Sequence, residues 1–554
     1  MKLKLNQKFL TLNYKYHNLI LSMLTLLYLS LPYFRFFIGF LIPLYSIPFT
    51  ITLLLALFFI FKKLKLISFA EYDNKNYKVS TFTFKDILPI LVHFIFSFIL
   101  AFIWLYLSGS GGFSFQNSDY IKHNFVLNDL IYLDWPPKYF GEIAKQNYSM
   151  IYSIAYYLPA SIIGKLYDIY TAQFFLFIWS YIGVVLIFLW LHKLLQRNFI
   201  FIPLIFIIFS GLDVVGDFVK HENINRFLLS QHIEWWATLW QYSSNTTLLF
   251  WVPQHSIPSQ LITALILNSI ISRSLLSFSI TPFLISLSLL WSPWISFGIL
   301  PFFAYEFFQK VFQKNSKTLM NKLSIFFNFE NIFTSTTITL LIALYYSSNT
   351  SKGQGSFMFN IINNPTTFYD YIKFISLEYL IYILIFLLSY ISIYIYYRRQ
   401  HHQYQQLHQL EEYKNEKQSL LIIIIATITL AFIPFYHLGI FNDFCMRTSI
   451  PALFILSVFI IRSLLHRHNH FLIKSILLVT IIIGSFAPYI EIRKSIRLRD
   501  VPAIFMHLTQ YSPGYSVQYL GKADSLFFKT LCFQNLEHSP LILPYKLEEA
   551  VLNR

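Results

Sequence analysis

The feature that most constrains this chain is a succession of apolar runs, each long enough to cross a lipid bilayer as a helix. Crossing takes about 20 mostly apolar residues, and within lipid every backbone polar group has to be satisfied inside the segment. Thirteen runs qualify, near residues 17–33, 36–61, 86–108, 171–191, 199–215, 257–272, 274–291, 293–309, 331–347, 371–397, 419–437, 447–463 and 471–489. Between them 12% of the 554 residues are charged, against about 25% in a soluble domain. Such a composition excludes a disordered chain, a collagen and an ordinary cytosolic enzyme. The expected fold is an all-α polytopic membrane protein of about 13 transmembrane helices, with interface helices in the first long outer loop.

The charge pattern orients those helices. The formal net charge is +16, which in a soluble protein would suggest nucleic-acid binding. Here the basic residues sit in short clusters between apolar runs, so they report topology and no nucleic-acid partner is expected. With the N-terminus inside, the inner loops carry Lys62, Lys63, Lys65, Lys193, Arg197, Lys310, Arg398, Arg399, Arg462 and Arg467. The expected location is the bacterial inner (cytoplasmic) membrane, multi-pass, N-terminus inside and C-terminus outside. The first span reads as uncleaved. Two domains are expected: a transmembrane module over 1–489 and a short extracytoplasmic tail over 490–554. No internal repeat is visible. Cys445 and Cys532 are the only cysteines, so there is no disulfide framework.

The first outer loop, about 109–170, is the most informative segment. Gly109, Gly111 and Gly112 end the third run, and Gln116, Asn117, Asp119, His123 and Asn124 follow. In a helix over 118–133, Ser118 would be the N-cap, and Asp119 and His123 would share a face at i and i+4. A carboxylate there can deprotonate an acceptor hydroxyl or hold a cation; the plainer role is to complement the helix dipole. The apolar piece 148–168 reads as an interfacial helix.

Further candidates lie in the other outer segments. The loop 216–256 and its borders hold Asp213, Asp217, His221, Glu222, His232, Glu234, Trp235, Trp236, Trp251 and His255. Tryptophan faces stack on sugars, and they also sit naturally at the headgroup level. Asp213, at the end of a span, is costly unless it faces a wet cavity. The spacing of His221, His232 and His255 fits no zinc motif. Asp443 and Arg447 are i and i+4 and are expected to pair; a guanidinium also suits a lipid phosphate. Lys352 with the Gly-rich 353–355 stretch is a candidate cover for the site.

A long first outer loop with an acid near its start, leading into interface helices, resembles the GT-C class of polyprenyl-phosphate-dependent glycosyltransferases. The runs Gly111 to Phe113, Gln116 to Asp119, Lys122 to Asn124, Asp134 to Pro136, Trp251 to His255, Trp291 to Pro293, Asn442 to Arg447 and Gln518 to Gly521 are similar to those of uncharacterised bacterial integral membrane proteins of this length. The class resemblance implies that Asp119 is the catalytic base or a metal ligand. Many members carry two acids one residue apart; here the pair is Asn117 and Asp119, so no metal is assigned and no cofactor follows. The resulting expectation is a sugar moved from a polyprenyl-phosphate donor to an acceptor on the extracytoplasmic face. Asp119 and His123 would be catalytic. Arg447, Asp443, Asp213, Trp235, Trp236, Trp251 and His255 would bind substrate, with membrane lipid as the surrounding partner. The alternatives are a transporter or flippase of a lipid-linked or anionic solute, and a catalytically silent GT-C-like assembly protein.

Overall fold

The computed structural model describes residues 2–73, 84–196, 199–221, 232–272, 275–312, 324, 326–351, 355–401, 407–439, 441–512, 516–534 and 540–552. Glu222 and Lys352, named above, lie outside them. The chain is largely helical, and six of its helical segments are long and apolar enough to cross a membrane: Asn18–Phe40, Pro43–Leu66, Ile169–Leu195, Pro365–Arg398, Glu416–Phe435 and Phe471–Arg497. Three shorter apolar helices, Leu91–Leu107, Ser279–Trp291 and Ile450–Leu465, accompany them.

Helix α1 runs Lys2–Phe40 and α2 Pro43–Asp73. The break between them falls at Leu41 and Ile42, not at residues 34–35. Pro32 is carried inside α1, and the chain turns where Ile42 N–H is captured by Leu531 C=O, 2.9 Å away. Helix α3 (Phe84–Leu107) is followed by α4 (Asp119–Tyr132), strands β1 (Lys138–Gly141) and β2 (Gln146–Met150), then α5 (Leu158–Leu166) and α6 (Ile169–Leu195). The apolar run 199–215 is not one helix. It forms α7 (Ile202–Ile207), breaks, and resumes as α8 (Asp213–His221). The break places Gly211 against the Glu378 carboxyl, where any Cβ would collide.

Helix α6 is the axis of the bundle, the most buried of the six candidate spans. Tyr28 of α1 stacks on its Trp179 at 4.1 Å, and Tyr28 also stacks on Trp291. Trp190 donates to Thr25. By contrast α2 turns Leu44, Ile47, Ile51, Leu54 and Phe58 outward, the face a lipid-covered helix presents.

Segments from distant parts of the chain join through strands. One sheet has the order β5-β2-β1-β6, where β5 is Leu520–Lys522 and β6 is Leu541–Ile542. β2 pairs antiparallel with β1 and β5, and β6 runs parallel to β1. A second ladder pairs β3 (Gly355–Phe357) with β4 (Tyr436–Leu438). Asn349 bridges to Gly521. The first loop, the 348–370 loop, the 438–446 segment and the C-terminal residues therefore gather at one end of the helices. The residues after 497 are not a loose tail: they complete a sheet begun in the first loop. The apolar piece 148–168 is likewise not one helix, because its start is β2.

Candidate functional site

Helix α4 brings the first-loop residues together. Its N-terminus is closed by Asn117, whose Oδ1 accepts from Asp119 N–H at 3.0 Å; Ser118 occupies the cap position without a side-chain hydrogen bond. Asp119 is about one-fifth exposed and pairs with Lys122 one turn on, at 2.8 Å. Burial works against the Lys122 charge, but the adjacent carboxylate outweighs it and raises its pKa.

His123, one turn from Asp119, is more deeply set. It is buried, its Nε2–H donates to the Trp251 carbonyl at 2.9 Å, and its Nδ1 accepts from the Tyr157 hydroxyl at 2.5 Å. Burial pushes its pKa down to about 4, so at neutral pH it is an uncharged strut with both nitrogens engaged. It ties α4 to the segment that carries Trp251, and is a positioning residue with respect to Asp119.

Arg447 comes from the short helix Asp443–Thr448, capped by Asn442 in the left-handed region at φ 50°. It pairs with Asp443 at 2.9 Å. Desolvation opposes its charge, while Asp443, Tyr152, Tyr519 and Asp119 all favour it. The same set recurs around Tyr152. Burial raises the Tyr152 pKa, the charges of Arg447 and Lys122 lower it, and Asp119 raises it. The Tyr152 hydroxyl accepts from Gln254 Nε2 at 3.0 Å, and its ring lies 4.8 Å from that of Tyr519. Its backbone N–H and C=O are both held by the Tyr345 hydroxyl. Asp119 and Arg447 thus bear on both tyrosines, and Lys122 on Tyr152, from two separate parts of the chain.

Asp213 belongs elsewhere. It is fully buried with Glu234 and Glu378. Ser210 donates to Asp213, and Trp236 Nε1 donates to Glu378 at 3.0 Å. Gln241, Ser244 N–H and Thr247 donate to Glu234. Asp213 Oδ1 and Glu378 Oε2 each lack a hydrogen-bond partner among the described residues, and the two carboxyls lie within electrostatic reach of each other. Trp236 is therefore a buried donor to this acid group, not a face open to substrate.

Trp251 lies between the two regions. Its carbonyl takes the His123 proton, and its indole donates to Glu491 at 2.9 Å. Glu491 also holds His232 at 2.6 Å. Burial lowers the His232 pKa, but that contact and neighbouring negative charge raise it overall. Half-exposed Trp235 stands beside Trp251 and stacks on Phe441. Lys494 sits 5.4 Å from the Trp251 ring.

A further acid–histidine pair lies where the C-terminal residues meet α4. Asp129, with no exposed surface, accepts from Tyr139, from Leu508 N–H and from His507 Nδ1 at 2.5 Å. The Asp129 bond raises the pKa of half-buried His507. Both cysteines are free and buried. Among the described residues no three metal-ligating side chains come together.

Lys122, Gln254 and Tyr519 fall in runs quoted above but were given no role, although Lys122 lies three residues from Asp119 on a helix. Tyr152 carried no signal, one of 38 tyrosines in the chain. Comparisons with protein-family models, curated proteins and solved structures find no match.

Proposed function

We propose that this protein is a membrane glycosyltransferase of GT-C type. It takes a sugar from a polyprenyl-phosphate carrier and passes it to an acceptor on the extracytoplasmic face of the bacterial inner membrane. The observation that carries this reading is the pair of partly exposed ion pairs, Asp119–Lys122 and Asp443–Arg447, both within electrostatic reach of Tyr152. A partly exposed carboxylate and two cations around one polar mouth suit a base facing an acceptor hydroxyl and a site for an anionic leaving group.

In this reading Asp119 takes the acceptor proton. Arg447, aimed by Asp443, holds the carrier phosphate. Trp235 and Trp251 offer aromatic faces to the sugar. The test is transfer of a labelled sugar from a polyprenyl-phosphate donor by the purified protein in lipid. Absence of transfer with every such donor refutes the proposal.

One observation favours transport instead. Buried acids inside apolar helices are a usual device of proton- or cation-coupled carriers, and Asp213 and Glu378 form such a pair. Uptake or flipping that fails in Asp213→Asn, with no sugar transfer by the wild type, would select that reading.

A further inference from the structure

The helix Phe486–Arg497 ends the last of the candidate spans, and its final turn carries a lysine with no anion beside it. Lys494 is half-buried, and among the described residues its ammonium has neither an ion pair nor a hydrogen bond. Glu491, one turn earlier, is engaged on both oxygens, accepting from His232 with one and from the Trp251 indole with the other. Other lysines reach an oxygen: Lys122 that of Asp119, Lys138 the carbonyls of Phe533 and Gln534, Lys165 those of Ile131 and Leu133, Lys220 that of Trp236. Lys494 Nζ instead stands against two rings, 5.4 Å from the centre of Phe115 and 5.4 Å from that of Trp251. A ring attracts an ammonium, but does not take the three directed hydrogen bonds it can donate.

The charges around Trp251 leave Lys494 over. Asp119 is matched by Lys122, Asp443 by Arg447 and Glu491 by His232. The field of Lys494 reaches His232 as well. A cation already paired has to share itself with an arriving anion, whereas an unpaired one meets it at full charge. The place is also open. Phe115, Trp251 and Lys494 each keep part of their surface, and Trp235, beside Trp251, is half exposed. A surface patch of rings around one cation needs no enclosed cavity.

The end of an apolar span flanked by tryptophans is the headgroup level of a bilayer. The anions abundant at that level are lipid phosphates. Their free oxygens carry lone pairs alone and match an ammonium, which only donates, while the attached chain suits exposed aromatic faces. We propose that Lys494, held against Phe115 and Trp251, binds the phosphate of a membrane lipid. A polyprenyl carrier as that lipid rests on the sugar-transfer reading and adds a phosphate contact to it. A phospholipid would use the same residues without it.

Native mass spectrometry of the full chain, released from an uncharged detergent, tests this by following adducts during four titrations. The lipids are undecaprenyl phosphate, undecaprenol, phosphatidylglycerol and diacylglycerol. Lys494→Gln keeps a donor and removes the charge. Affinity for at least one phosphorylated lipid is expected to fall roughly tenfold to a hundredfold, with undecaprenol and diacylglycerol within about twofold. Arg497→Gln removes an equal, exposed charge three residues on, and should cost less than about threefold. Lys494→Arg keeps the charge and should stay within about fivefold of wild type.

A fall confined to undecaprenyl phosphate identifies the carrier; one confined to phosphatidylglycerol identifies a bulk headgroup; a fall in both identifies a site for any lipid phosphate. Equal losses in Lys494→Gln and Arg497→Gln overturn the site in favour of a diffuse surface charge. No loss in either overturns it too, leaving an ammonium served by water. A loss in Lys494→Arg as deep as in Lys494→Gln marks a packing role and has the same consequence. Sugar transfer and carrier binding that both survive Lys494→Gln keep the transferase reading and remove this one. Phosphatidylglycerol binding that depends on Lys494, with no transfer by the wild type, does the reverse.

Discussion

Two groups of acids in this protein are built on opposite plans. At the α4 mouth, Asp119 and Asp443 are each matched by a cation, Lys122 and Arg447, and all four side chains keep some exposure. Around α8, the carboxyls of Asp213, Glu234 and Glu378 are buried and surrounded by neutral donors: hydroxyls, an indole and an amide. A charge paired at a surface can exchange its partner for a ligand at little cost. A carboxyl embedded among fixed donors cannot, since anything that displaces them must replace every bond. The first plan suits chemistry; the second holds α8, the Glu234 segment and the Glu378 helix in register.

The largest effect would break the comparison at its root. A reporter active only outside the cytoplasm is expected to work when fused after residue 554 and to fail near residue 405. The reverse pattern would put the α4 mouth in the cytoplasm and remove the lipid-carrier chemistry. Next, Asp119→Asn should lower sugar transfer on the order of 100- to 10,000-fold, the range of a lost general base, with normal protein in the membrane. Full activity there would leave the mouth no base. Arg447→Lys should raise the KM for donor by roughly tenfold to a hundredfold, because an ammonium cannot reproduce the guanidinium fork. An unchanged KM would mean that Arg447 serves only Asp443.

The contrasting substitution is Asp213→Asn. Asparagine keeps the size of Asp213 and an oxygen to accept from Ser210, so transfer should stay within about threefold of wild type. A loss as deep as that of Asp119→Asn would make the two acid groups one functional unit. The smallest effect concerns His507. Its pKa is raised in the folded state by Asp129, so its contribution is fully present below the ordinary value of about 6.5 and is lost as pH rises through the raised one. Corrected for the intrinsic rise of amide exchange with pH, hydrogen exchange at Leu508, whose N–H is held by Asp129, should quicken in wild type as pH passes through the raised His507 value. In His507→Gln it should show no such step.

The apolar runs made the helices legible, because hydropathy over about 20 residues is a property of sequence alone. They misplaced the first break, because hydropathy does not register the contact with Leu531 at which the chain turns. They joined 199–215 into one helix because the break serves Glu378, more than 160 residues away. Within the site, the Asp443–Arg447 pair was readable from its i,i+4 spacing. Asp213 was readable as an unusual acid, but its Glu378 partner was not, since no local pattern links them. The sheet was invisible. Its strands are two to five residues long, too short for alternation to register, and its partners lie at opposite ends of the chain.

That sheet also bears on the order of assembly. A ribosome delivers β1 and β2 hundreds of residues before β5 and β6, so both outer edges of the first hairpin wait unpaired while most of the bundle is inserted. An exposed strand edge is a template for any other extended chain. The nascent protein is therefore most open to mispairing and proteolysis during that interval, and the arrival of residues 520–542 is what closes it.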